Sequence, residues 1–154
     1  MEFKTGSADS TLDDKGRVSI PVRFRDQYQG KLVITCGSEQ CVWIMTESVW
    51  EHFTKAILNS TDISEEERED LVYKHIYRAH QEEVELDKAG RIAIPSKLRD
   101  YADLTKDCTV VSAENRLDIW DRSIFDETNA KKDAIARAAM NKLGIRKVFK
   151  TGQE

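Results

Sequence analysis

The chain has 154 residues, of which 40% are hydrophobic and 34% charged, with two prolines and a formal net charge of −4. That is the balance of one compact globular domain or two very small ones. No apolar run approaches the roughly 20 residues of a membrane span, and the opening MEFKTGSADS lacks the apolar stretch of a signal peptide. The chain is therefore expected to stay in the cytoplasm with Cys36, Cys41 and Cys108 as reduced thiols.

Charge is distributed unevenly. Asp62 to Asp70 (DISEEERED) carries six acids against Arg68, whereas Lys131 to Lys150 carries seven bases against Asp133. Local charge decides what a given face touches, so the acidic average does not exclude a nucleic-acid partner.

The first distinctive segment is LDDKGRVSIPVRFRD, from Leu12 to Asp26. Asp14-Lys15-Gly16 reads as a three-residue hairpin loop whose last position needs a left-handed residue, which glycine supplies. Asp13 and Arg17 then face each other on the flanking strands, close enough to interact. A short apolar strand, Val18 to Ile20, leads to Pro21 at the first position of a short helix, where a missing N–H costs nothing. Val22, Phe24 and Tyr28 are the candidate core residues of that helix. KLVITCGSEQCVWIM alternates and breaks at Gly37-Ser38, which predicts a β-hairpin, and a helix follows around Trp50. Ser64 and Glu67 make a capping box for SEEEREDLVYKHIYRAH, with Leu71, Val72, His75, Ile76 and Ala79 along one face.

A near-copy of the first segment, LDKAGRIAIPSKLRD, then runs from Leu86 to Asp100. Eight of fifteen positions are identical at an offset of 74. Asp87 and Arg91 flank the loop Lys88-Ala89-Gly90, Ile92 to Ile94 is the strand, and Pro95 opens a helix with Leu98, Tyr101 and Ala102 as core candidates. CTVVSAENRLDIW repeats the hairpin, with Leu117, Ile119 and Trp120 answering Val42, Ile44 and Met45, and a helix follows near Phe125. DRSIFDETNAKKDAIARAAMNKLG predicts a long helix stopped by Gly144, with a frayed IRKVFKTGQE behind it. Two units this small cannot each bury a core, so they are expected to interleave about a pseudo-twofold axis, placing Arg17 and Arg91 in equivalent surroundings.

The doubled D-x-x-x-R motif, each copy running into G-R-[VI]-x-I-P and then [FL]-R, resembles the MraZ family and the wider AbrB-like swapped-hairpin group, over residues 1–125. The resemblance implies an α+β fold: an internally duplicated AbrB-like swapped hairpin (double-split β-α-β) with flanking helices. The expected parts are a first repeat at 1–60, a connecting helix at 61–81, a second repeat at 82–125 interleaved with the first, and a helix and tail at 126–154. It also implies a bacterial, nucleoid-associated transcriptional regulator that binds double-stranded DNA and assembles into a ring of identical chains, an octamer. Its target would be short G-rich direct repeats ahead of the division and cell wall gene cluster, its own promoter included. Lys15, Arg17 and Arg91 match positions expected to touch DNA, with Asp13, Gly16, Asp87 and Gly90 as motif support. Lys88 joins them as a candidate on the second loop. It stands one place earlier than Lys15, with Ala89 in the lysine position, so its role is not carried over from the family.

Arginine can donate two parallel hydrogen bonds to guanine O6 and N7 in the major groove, a groove that admits a two-stranded ribbon. A lysine on the turn suits phosphate. The plainer reading of each Asp–Arg pair is a surface salt bridge worth about 0–1 kcal/mol; the repetition and the resemblance favour the DNA role. Arg23, Arg25, Lys97 and Arg99 read as solvated faces or subunit contacts. Cys36 with Cys41, and His75 with His80, lack metal-site spacing. There is no P-loop, dinucleotide-binding glycine pattern or nucleophile elbow, so no enzyme, cofactor, small-molecule substrate or membrane role is expected. The alternative is an antitoxin-like protein-binding module using the basic tail.

Overall fold

The computed structural model describes residues 4–152, and the chain divides into two compact units, one through Arg122 and one from Ser123 on. The first unit is an α+β body. In chain order the first copy supplies β1 (Gly6–Thr11), β2 (Arg17–Ser19), the short α1 (Val22–Arg25), β3 (Leu32–Cys36), β4 (Val42–Thr46) and α2 (Glu47–Asn59). The linking α3 (Glu65–Leu71) precedes β5 (Arg91–Ala93), α4 (Ser96–Tyr101), β6 (Asp107–Ala113) and β7 (Arg116–Asp121) of the second copy.

Neither sheet is built from one copy alone. The antiparallel five-stranded sheet runs β1-β6-β7-β4-β3, so the first copy's β1 and β4 lie against the second copy's β6 and β7. β2 and β5 form a separate antiparallel ribbon, with Val18 opposite Ile92 at its centre. The core beneath the ribbon uses matched positions of the two segments: Val18 with Ile92, Ile20 with Ile94, Phe24 with Leu98, Tyr28 with Ala102, all buried. Each large apolar side chain so placed contributes about 1.5–3 kcal/mol relative to exposure. β3 is buried along its whole length, and a second apolar cluster of Val33, Met45 and Trp50 packs on α2 residues.

Three sequence expectations need correction. Val22 is 73% exposed: in a single-turn helix only Phe24 points inward. Tyr101, by contrast, packs against the core as expected; it is half-buried, with its hydroxyl donating to the carbonyls of Gly37 and Glu39. Pro21 and Pro95 sit one place before their helices, as N-caps with extended ψ of 139° and 144°. The linking helix has its capping box, with the Glu67 amide donating to Ser64 Oγ and the Ser64 amide to Glu67 Oε1, but it is α-helical only to Leu71. A π turn over Val72–Ile76 follows, closed by the Tyr77 amide donating to the Val72 carbonyl at 2.9 Å. The wider turn rotates the expected apolar face, and of its residues only His75 is fully buried. The His75 ring stacks on Trp43 with centroids 5.1 Å apart, and Nδ1 lies 2.8 Å from the Cys36 carbonyl oxygen.

In the second unit, α5 (Arg122–Leu143, its first residue in the first unit) ends at Gly144, whose φ of 83° breaks the helix. Residues 145–149, expected to fray, form a further helix, α6 (Ile145–Phe149). Gln153 and Glu154 lie outside the described residues. Among the described residues no helix is long and apolar enough to cross a membrane.

Candidate nucleic-acid interface

Each D-x-x-x-R segment closes into the same loop. Asp13 Oδ1 accepts the amides of Lys15 and Arg17, both at 2.9 Å, while Oδ2 accepts Arg17 Nε at 2.8 Å. The Asp13 amide donates to the Arg17 carbonyl, and Gly16, at φ 77°, donates back to the Asp13 carbonyl at 3.0 Å. The second loop repeats this bond for bond. Asp87 Oδ1 accepts Ala89 and Arg91 amides at 2.9 Å, Oδ2 accepts Arg91 Nε at 2.9 Å, and Gly90 has φ 78°. The spacing is thus explained physically. One carboxylate ties down the loop's N–H groups and holds the guanidinium that follows the glycine. The backbone N–H bond from the arginine, more than its charge, holds each aspartate below the ordinary 3.8.

The ribbon then aims the arginines. In the β2–β5 register Arg17 lies opposite Ala93 and Arg91 opposite Ser19. Side chains alternate along a strand, so Val18 and Ile92 go to the core while Arg17, Ser19, Arg91 and Ala93 share the outer face. Arg17 and Arg91 are therefore diagonal neighbours across one ribbon, with backbone positions about 7–8 Å apart. Their side chains keep 28% and 34% of their surface exposed. Lys15 and Lys88 are exposed on their loops, and Asp14, beside Lys15, is exposed too. All eight sequence-selected residues lie at the two loops or the ribbon they feed.

The solvated reading of the helix arginines holds only in part. Lys97 is exposed, and Arg23 is exposed with Nη2 donating to the Ser7 carbonyl at 2.8 Å. Arg25 and Arg99 are half-buried. Arg25 Nε donates to the Ile20 carbonyl at 2.7 Å, and Arg99 Nη1 to the Ile94 carbonyl at 2.6 Å. The signal for them was present in the sequence: an arginine recurs at the same step after both G-R pairs.

These features define an α+β protein built on an internally repeated loop-and-ribbon module, with a paired basic outer face. Residues 4–72 and 78–144 match the family model described as "MraZ protein, putative antitoxin-like". The chain belongs to the MraZ family.

Proposed function

We propose that the chain is a sequence-specific DNA-binding transcriptional regulator, with Arg17 and Arg91 as its base readers. One observation carries this reading: two arginines, each steered by its own aspartate, stand diagonally on the outer face of a single two-stranded ribbon. A ribbon of that width enters the major groove. With Nε occupied by the aspartate, the terminal Nη1 and Nη2 edge is the one left to meet guanine O6 and N7. Lys15 is a phosphate contact, and Lys88 a weaker one. The reciprocal pairing of the copies supports an AbrB-like swapped-hairpin architecture with a pseudo-twofold axis through Val18 and Ile92. By family, the target is a set of G-rich direct repeats ahead of the division and cell wall gene cluster and the protein's own promoter. The working form is a ring of identical chains in the bacterial cytoplasm, at the nucleoid. Several weak modules on linked repeats can gain about 10²–10⁴ over a single site.

A DNA titration tests this. Affinity for DNA from just upstream of the protein's own start codon should exceed that for shuffled DNA and fall with salt, each phosphate contact adding about −0.9 to the log–log slope. Two target repeats should bind far better than one. Equal affinity for native and shuffled DNA would refute the reading.

A second reading is favoured by the family description itself and by the separate, basic second unit. In it the tail engages a partner protein in antitoxin fashion. Removing residues 126–154 would then abolish a protein interaction that Arg17→Ala and Arg91→Ala leave intact.

A further inference from the structure

The arginine of the [FL]-R motif, Arg25 in the first copy and Arg99 in the second, is not absorbed by the base-reading role. Its surroundings are reciprocal. The Arg25 side chain fills the space where Gly90 would carry a Cβ, and the Arg99 side chain fills the same space at Gly16. Each arginine therefore lies on the loop of the opposite copy. Backbone bonds tie the two together. Arg25 Nε donates to the Ile20 carbonyl, and the Ile20 amide donates to the Gly90 carbonyl at 2.9 Å. Arg99 Nη1 donates to the Ile94 carbonyl, and the Ile94 amide donates to the Gly16 carbonyl at 2.8 Å. Both loop glycines are buried although their neighbours Lys15, Lys88 and Ala89 are exposed, because a guanidinium covers them.

We propose that Arg25 and Arg99 are positioning residues acting crosswise: Arg99 holds the loop that presents Arg17, and Arg25 the loop that presents Arg91. Their functional weight rests on the DNA-binding reading of those loops; the crossed positioning itself does not. The glycines then carry two requirements. A left-handed φ could be met, with strain, by asparagine or aspartate, but only a residue without a Cβ leaves room for the opposite guanidinium. Planarity matters as well. A guanidinium can lie flat on a loop while donating from one edge, whereas a lysine ammonium offers a point charge and no plate. Since each loop borrows its cover from the other copy, the two readers form one mechanical unit.

Amide hydrogen exchange on the full chain tests the crossing. Arg99→Ala should speed exchange at Lys15, Gly16 and Arg17 by about ten- to a hundredfold, as expected for losing a hydrogen bond to a charged group, with Ala89, Gly90 and Arg91 little changed. Arg25→Ala should give the mirror image. Should an alanine variant fold poorly, Arg99→Lys and Arg25→Lys keep a donor without the plate and should show the same crossed pattern, smaller in size. Equal acceleration at both loops, acceleration confined to the loop of the arginine's own copy, or no change at either loop would each overturn the proposal. DNA affinity separates it from the reading it rests on. A crossed exchange pattern with undiminished DNA binding by Arg17→Ala would sustain the positioning and remove the base-reading role. Loss of DNA binding by Arg17→Ala with an uncrossed pattern would do the reverse.

Discussion

The two copies agree at their centre and part company at their edge. Around the ribbon, equivalent bonds match within about 0.1 Å at a 74-residue offset, from the aspartate loops to the Ile20–Gly90 and Ile94–Gly16 links. At the sheet margin, β1 pairs with β6 without a break from Gly6 to Thr11. The corresponding stretch of the second copy, residues 80–85, forms no continuous ladder and hydrogen-bonds to β3 at the Ile34–His80 bridge and from the Leu32 amide to the Val84 carbonyl, with Glu83 between them at φ 57°. A non-glycine residue in that region is uncommon and costs about 1–2 kcal/mol. Both regions join one copy to the other, but the match is close at the central ribbon and is lost at the sheet margin, where β1 and residues 80–85 lie at opposite edges of the five-stranded sheet. The basic face lies in the closely matched part.

The largest test breaks the shared centre. Ile92→Ala should cost about 2–5 kcal/mol and Val18→Ala less, both read from urea midpoints. Each should shift a single cooperative transition for the unit through Arg122, because the substituted side chain belongs to both copies' core. Separate unfolding of the two repeats would contradict the interleaved body. Gly16→Ala and Gly90→Ala come next. The left-handed φ alone costs about 1–2 kcal/mol, and the methyl also collides with the opposite arginine, so the two variants should lose stability nearly equally.

What the sequence made legible follows the range of the interaction. The Asp13 and Asp87 loops, the glycine positions and the Ser64–Glu67 capping box were readable because each closes within five residues. The hairpins of β3–β4 and β6–β7 were readable from alternation and a local break. Val22 was not, since a single-turn helix has too few residues for its periodicity to show which side faces the core. The π turn at Val72–Ile76 was hidden because Leu71, Val72, His75, Ile76 and Ala79 keep helical spacing in the sequence, although the chain widens its last turn and leaves the helix after Ile76. Arg25 and Arg99 were the deepest miss. Their partners lie more than sixty residues away in sequence, and one copy alone makes each of them look like an ordinary charge on a short amphipathic helix.

Smaller effects sharpen the comparison at the candidate interface. Arg17→Ala and Arg91→Ala should each cost about 1–3 kcal/mol in DNA affinity and relax base preference, by equal amounts if the ribbon presents them equivalently. Lys15→Ala should weaken all sequences alike and reduce the salt slope by about 0.9. Lys88→Ala should do less, because Lys88 occupies the loop position that the first copy gives to Asp14.

The smallest effect is also the most discriminating between the two loops: their response to acid. Asp13 and Asp87 are both held below 3.8, first by the arginine backbone N–H. A carboxyl with a lowered folded value contributes stability in full above its unfolded value and loses it as pH falls through the folded one. Both loops should therefore stay unchanged from neutrality down to about pH 4 and then loosen together. His75 acts in a different window. Burial, partly offset by its bond to the Cys36 carbonyl, pushes it below 6.5, so the unfolded chain binds a proton there that the folded chain does not, and stability declines as pH drops below about 6.5. That decline should vanish in His75→Gln while the acid limb remains. Carboxyl chemical shifts followed by NMR separate the two: midpoints below 3.8 at both aspartates bear out equivalent loops, whereas a normal midpoint at Asp87 alone would mean that the second loop is held differently from the first.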